Sequence, residues 1–155
     1  MSPGRIRARF VVGTGRCGST LLSRMLACHR DVVSISEFFT GFDWARRFAP
    51  GTVSGTDFAD LLAGEQRVVT DVLARGYTAE EIQYPFGAPG ARYAPGEAMP
   101  WLAVSMAPRL SDDPDALVDD LLAFARARPP AAMAEHYDAV FAWLCERVGA
   151  TCWVE

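Results

Sequence analysis

The sequence predicts an α/β fold in which a parallel sheet is flanked by helices in three layers, and three observations predict it. An aromatic and β-branched run, Phe10 to Val12, reaching back to about Ile6, leads through a glycine-rich stretch into an amphipathic helical pattern. A second β-branched run, Val32 to Ser36, follows that helix directly. Near the other end, a long helical pattern is followed by the apolar run Thr151 to Val154. Two strands joined by a helical crossover run parallel, because the crossover returns the chain to the same end of the sheet.

Taken in order, Ile6 to Val12 reads as a buried strand bounded by glycine. After the loop Gly13 to Gly18, the residues Leu21, Leu22, Met25 and Leu26 recur at helical spacing, Ser19 or Thr20 is placed to cap that helix, and His29-Arg30-Asp31 ends it. Val32 to Ser36 alternates apolar and polar residues as a second strand next to the first, with Glu37 at its carboxyl end. Phe38 to Phe48 is aromatic-rich and reads as a helix, and Thr56 to Leu62 as a short helix capped by Thr56. Residues 84–100 hold four prolines and three glycines with little periodicity, which predicts a surface loop or lid.

Asp113-Pro114 opens a helix to about Arg126, whose predicted buried stripe is Leu117, Leu121, Leu122 and Phe124 or Ala125, and Pro129-Pro130 breaks it. The last helix, Ala131 to Val148, is expected to bury Met133, Val140, Phe141, Leu144 and Cys145 and to end at Gly149. The strand Thr151 to Val154 is followed only by Glu155. The expectation is therefore one α/β domain over 1–155, cut within its sheet, with a strand-loop-helix-strand unit at 6–37.

Composition narrows the class. With 155 residues, half of them apolar, the chain has enough material for one soluble domain with a real core. No apolar run approaches a membrane span or a signal-peptide core, so a cytoplasmic protein is expected. Cys17, Cys28, Cys145 and Cys152 form no Cys-x-x-Cys pair, which predicts free thiols and no zinc site. A net charge of -4 without a clustered basic face gives no reason to expect nucleic acid. All fifteen basic residues are arginine.

The chemistry concentrates in Gly13-Thr-Gly-Arg-Cys-Gly-Ser-Thr20. Between a strand and a helix, free backbone N–H groups and the positive end of the helix dipole converge, which attracts phosphate. Gly13, Gly15 and Gly18 let the backbone approach an anion, Ser19 and Thr20 supply hydroxyl donors, and Arg16 supplies fixed positive charge. The mononucleotide loop Gly-x-x-x-x-Gly-Lys-Ser/Thr requires lysine where Ser19 stands, and the chain has no lysine, so ordinary kinase or ATPase chemistry is disfavoured. The dinucleotide fingerprint Gly-x-Gly-x-x-Gly is matched by Gly13, Gly15 and Gly18, with Glu37 about where a ribose-binding carboxylate belongs. Arg16 within the loop and Leu22 in the following helix fit that fingerprint less well, and an NAD(P)-binding or other nucleotide-binding module stands as the alternative reading.

The stretch Phe10 to His29 resembles the 5'-phosphosulfate loop of the sulfotransferases that use 3'-phosphoadenosine 5'-phosphosulfate (PAPS). There a basic residue, a small residue, glycine, Ser/Thr and Thr precede a leucine-rich helix. Asp31 to Phe39 resembles the branch of that family in which a glutamate acts as base. Together these cover about 30 residues, and they imply the N-terminal half of a P-loop-like sulfotransferase fold. The resemblance implies that Gly15, Arg16, Cys17, Gly18, Ser19 and Thr20 hold the 5'-phosphosulfate, that Arg16 stabilises charge on the leaving phosphate, and that Glu37 removes the acceptor's proton. It implies PAPS as donor, adenosine 3',5'-bisphosphate as product, no metal, and a small-molecule acceptor with an apolar portion. The family's 3'-phosphate and adenine contacts would lie beyond Glu155, so a fragment inactive by itself is a further expectation.

His29 and His136 are rival proton acceptors; a helix end and a partly exposed helical face give both a structural reading. Phe38, Phe39, Phe42, Trp44, Tyr84, Phe86, Tyr93 and Trp101 are candidates for an apolar acceptor pocket beneath the proline- and glycine-rich loop.

Overall fold

A computed structural model of the chain describes residues 6–14, 17–78 and 82–155. Its centre is a parallel sheet of three strands, β1 (Arg7–Arg9), β2 (Val32–Ser34) and β5 (Cys152–Val154), in the order β1-β5-β2. The strand nearest the end of the sequence is thus the middle one. Arg7 and Val32 both stand opposite Cys152, and Arg9 and Ser34 both opposite Val154. This corrects the expected adjacency of the first two strands: they are parallel, but β5 lies between them. The ladder continues beyond the strands, with the Glu155 amide donating to the Arg9 carbonyl and the Val11 amide to the Glu155 carbonyl.

Helices α1 (Ser19–Ala27) and α7 (Met133–Val148) lie on opposite faces of this sheet. Side chains alternate along a strand. Ser34, opposite Val154, meets Ser23 of α1 at 2.8 Å, Oγ to Oγ. Trp153, next along β5, packs with its ring centroid 4.3 Å from that of Phe141 of α7, the two rings tilted by 43°. Gly149 closes α7 in the left-handed conformation, as its position predicts.

The first strand is not buried. All of β1 is exposed, as are Phe10, Val11 and Val12 beyond it, because α1 packs on β2 and α7 on β2 and β5, whereas β1 packs closely on β5 alone. Helix α1 likewise buries no residue and leaves Leu21 and Met25 more than 60% exposed.

The remaining helices are α2 (Gly55–Leu62), α3 (Arg67–Ala74), α4 (Trp101–Ser105), α5 (Ala107–Leu110) and α6 (Pro114–Arg126), of which α2 and α6 pack on each other and on α7, and α4 and α5 on α6. A two-residue antiparallel pair, β3 (Thr52–Val53) with β4 (Ala131–Ala132), joins the approach to α2 with the approach to α7. Ser54, not Thr56, caps α2 by accepting from the Asp57 amide, since only a residue before the first turn can reach that donor. Asp113 caps α6, with Pro114 in its first turn, and Leu117, Leu121 and Ala125 are buried as expected.

Residues 38–48 form successive turns, not a helix. Two anchors explain this. Phe38 packs edge-on against Phe39, Phe42, Tyr137 and Phe141, which draws residues 38, 39 and 42 inward together. Gly41 lies so close to the Trp101 ring that a β-carbon there would sit 2.1 Å from Cγ. Segment 84–100 has no helix or strand, but it is tethered to α6: the buried Tyr84 hydroxyl donates to Asp115 Oδ2 at 2.7 Å, and Arg92 makes a two-pronged pair with Asp119.

Candidate functional site

The carboxyl ends of the three parallel strands open on a cavity of about 320 Å3. Phe10, Val11 and Val12 line it beyond β1, Val154 and Glu155 at the end of β5, and Ser34, Ser36 and Glu37 at and beyond the end of β2. Ser19, Thr20, Ser23 and Leu26 line it from α1. The carboxyl edge is where parallel α/β sheets bind ligands, because the loops diverge there and the crossover helices aim their amino ends at it.

Helix α1 begins at Ser19, with Gly18 at its cap in the left-handed conformation, φ 89°. A side chain at Gly18 would cost on the order of 1 kcal/mol. This corrects the expected capping by Ser19 or Thr20: neither hydroxyl caps the helix, and each remains available as a donor beside the first-turn amides. Ser19 and Thr20 therefore stand in the cavity wall where sequence placed them, and the described lining residues do not include Cys17 or Gly18. Gly15 and Arg16 lie outside the described residues.

Glu37 is exposed at the cavity and is held in an unusual backbone conformation. Its φ is 59°, the one positive φ among the described residues other than glycine. A left-handed glutamate costs on the order of 1–2 kcal/mol and persists only when its surroundings hold it. Two bonds do so. The Trp101 indole Nε1 donates to the Glu37 carbonyl at 2.8 Å, and the next amide, Phe38, donates to Glu155 Oε1 at 2.8 Å.

Glu155 is the site residue that sequence reasoning missed. Burial pushes its carboxyl up to about 7, against the Phe38 and Phe39 amides that lower it, and the nearby Glu37 charge adds to the rise. Its Oε2 is shut from water with no hydrogen-bond partner. One signal existed in the sequence: a glutamate directly after an apolar strand in a parallel fold points to the carboxyl edge.

The rival histidines stand apart from this cavity. His29 is exposed and accepts from the Asp31 amide at the end of α1. His136 is fully buried, which corrects its expected partial exposure. Its Nδ1 accepts from Arg128 Nε at 3.3 Å, so Nε2 carries the proton and donates to the Val53 carbonyl at 2.9 Å, while the ring stacks on Phe58. These bonds make it a fastener between α7, α2 and β3.

The aromatic residues distribute differently from expectation. Phe38, Phe42 and Trp101 are core, Tyr84, Phe86 and Tyr93 pack on one another in the 84–100 segment, and Trp44 lies under the Arg47 guanidinium. A second, apolar cavity of about 480 Å3 is lined by Phe39 together with Phe10, Phe48, Met133, Tyr137, Phe141 and Trp153. Phe10 borders both cavities. All four cysteines are free. Among the described residues, no cluster of histidine, cysteine or carboxylate side chains could hold a metal, and no helix is long and apolar enough to cross a membrane.

Comparison with protein-family models, with curated proteins and with solved structures finds no match to this chain.

Proposed function

We propose that this chain carries the donor-phosphate cradle and the proton acceptor of a PAPS-dependent sulfotransferase with a P-loop-like sheet. The observation that carries the proposal is that Ser19 and Thr20, at the start of α1, and the strained Glu37 line a single cavity at the carboxyl edge of the parallel sheet. The described residues fit a donor phosphate through their hydrogen-bond donors and not through their charge. Two hydroxyls and the free first-turn amides supply donors, but the described lining residues include two carboxylates and no cation. Arg16, four residues before Thr20, is the basic residue that would offset them.

In this scheme Ser19, Thr20 and the first-turn amides hold the 5'-phosphate. Arg16 stabilises the negative charge that grows on the bridging oxygen as the sulfur–oxygen bond breaks. Glu37 takes the proton from the acceptor hydroxyl as its oxygen bonds to sulfur, and adenosine 3',5'-bisphosphate departs with the bridging electrons. The acceptor's apolar portion has a place in the second cavity, with Phe10 at the shared border.

The test is transfer of labelled sulfate from PAPS to a panel of phenols and alcohols, with Arg16→Ala and Glu37→Gln compared. Loss of bisphosphate affinity in the first variant, and loss of turnover with retained affinity in the second, is the expected pair. Full turnover in Glu37→Gln would remove it as base.

A further inference from the structure

We propose that Glu155 is a positioning residue for Glu37, acting with Trp101 to grip the two ends of the single peptide unit that joins Glu37 to Phe38. The inference rests on the sulfotransferase function proposed above, and it deepens that proposal by assigning roles to two residues that the sequence motif does not include.

The grip is built from distant parts of the chain. Glu155, at the end of the central strand, takes the Phe38 amide; Trp101, opening α4, takes the Glu37 carbonyl. Both bonds are 2.8 Å long and hold the carbonyl and the N–H of one planar unit, so the Glu37–Phe38 peptide cannot rotate without breaking both. Each anchor is itself fixed. Glu155 is zipped to β1 by its own backbone amide and carbonyl, and the buried Trp101 ring lies against Gly41 with its amide donating to Gly64. A left-handed glutamate whose following peptide is held at both ends keeps its conformation despite the cost, which is how strain is kept at a working residue.

The buried carboxyl also carries a cost that packing alone does not explain. Oε2 of Glu155 has no partner, although a hydrophobic residue at the end of an apolar strand would fill the place without that cost. The Phe38 amide is what an apolar residue could not satisfy. A glutamine would satisfy it, because burial already favours the uncharged form of Glu155.

The experiment compares Glu155→Leu, Glu155→Gln and Trp101→Phe with the parent chain by two readouts. Amide hydrogen exchange at Phe38 reports the grip whether or not the chain transfers sulfate. Leucine is expected to speed that exchange at least tenfold, and glutamine to restore most of the protection. In the transfer assay, Glu155→Leu and Trp101→Phe are expected to lower kcat tenfold or more with KM for PAPS within twofold of the parent. Unchanged Phe38 exchange in Glu155→Leu overturns the grip. Equal losses in the leucine and glutamine variants overturn positioning in favour of a role for the charge. Absence of adenosine 3',5'-bisphosphate binding by the parent chain, with the exchange pattern as expected, counts against the sulfotransferase proposal and leaves the grip standing. If Glu155→Leu does not fold, Trp101→Phe supplies the same exchange and kcat tests from the other side, and unchanged values there overturn the grip.

Discussion

The Phe38 amide donates to Glu155 Oε1 at 2.8 Å across 117 residues of sequence. That bond ties the end of the central strand to the turn after β2, and so joins the segment that bears Glu37 to the middle of the sheet. Several measurable consequences depend on it or on the features it orders.

The left-handed backbone at Glu37 should be relieved by glycine. Glu37→Gly is expected to raise stability to urea by about 1 kcal/mol, since glycine adopts positive φ without steric cost. The same variant should lose transfer activity with its carboxylate. A fall in the urea midpoint would show that Glu37 is unstrained.

Stability should depend on pH through Glu155. Its folded carboxyl, pushed up to about 7, holds its proton more tightly than in the unfolded chain, where the ordinary value is near 4.5. The folded state then binds more protons over that interval, so this contribution is complete below about 4.5 and is lost as pH rises towards 7. Its size is of order 3 kcal/mol. Urea denaturation of the parent and of Glu155→Gln between pH 4 and pH 8 checks this, and the difference between them should narrow towards acid pH.

The 84–100 segment should depend on one hydroxyl. Tyr84 donates to Asp115, and its oxygen accepts from the Arg92 and Tyr93 amides. Tyr84→Phe leaves the Tyr93 amide without a partner and the buried Asp115 with the Arg92 amide alone, at a cost of about 1–3 kcal/mol. Limited proteolysis should then cut first within 84–100. The exposed Arg92–Asp119 pair contributes less, roughly 0.5–1 kcal/mol, and Arg92→Ala should give a weaker effect in the same assay.

Removing both hydroxyls at the start of α1, as Ser19→Ala with Thr20→Ala, should weaken binding of adenosine 3',5'-bisphosphate about tenfold. Two lost hydrogen bonds of modest net strength give that order. Helix α1 should persist, because neither side chain caps it, and circular dichroism serves as the control.

Much of this architecture can be read from the residues. The strand-loop-helix-strand unit, the Asp113-Pro114 start of α6, the Gly149 stop of α7 and the strand after it follow from local chemistry: capping, periodicity and β-branching. What was not legible depends on partners distant in sequence. The place of β5 between β1 and β2 is a matter of long-range pairing, and no local pattern encodes it. Helices α4 and α5 read as an apolar run without period because residues 101–107 are all buried, so no polar face marks the turn of the helix. Helix α3, with three valines in Arg67–Ala74, has β-branched residues that compete with a helical pattern. The aromatic stretch after Glu37 carries helical spacing, yet the pull of Phe38 and Phe42 into the core and the close approach of Gly41 to Trp101 break it into turns. At the site, Ser19, Thr20 and Glu37 were visible as a motif, whereas Glu155 becomes a site residue only once β5 is central.

Everything proposed for this chain depends on the start of α1 binding the donor's inner phosphate. Titration of the chain with adenosine 3',5'-bisphosphate, and separately with NAD, followed by the backbone amide resonances of Gly18, Ser19 and Thr20, tests it most directly. Saturable shifts at those amides are expected with the bisphosphate, weakened by Arg16→Ala and small with NAD. Undisturbed amides at saturating bisphosphate, or stronger binding of NAD at the same loop, would contradict it.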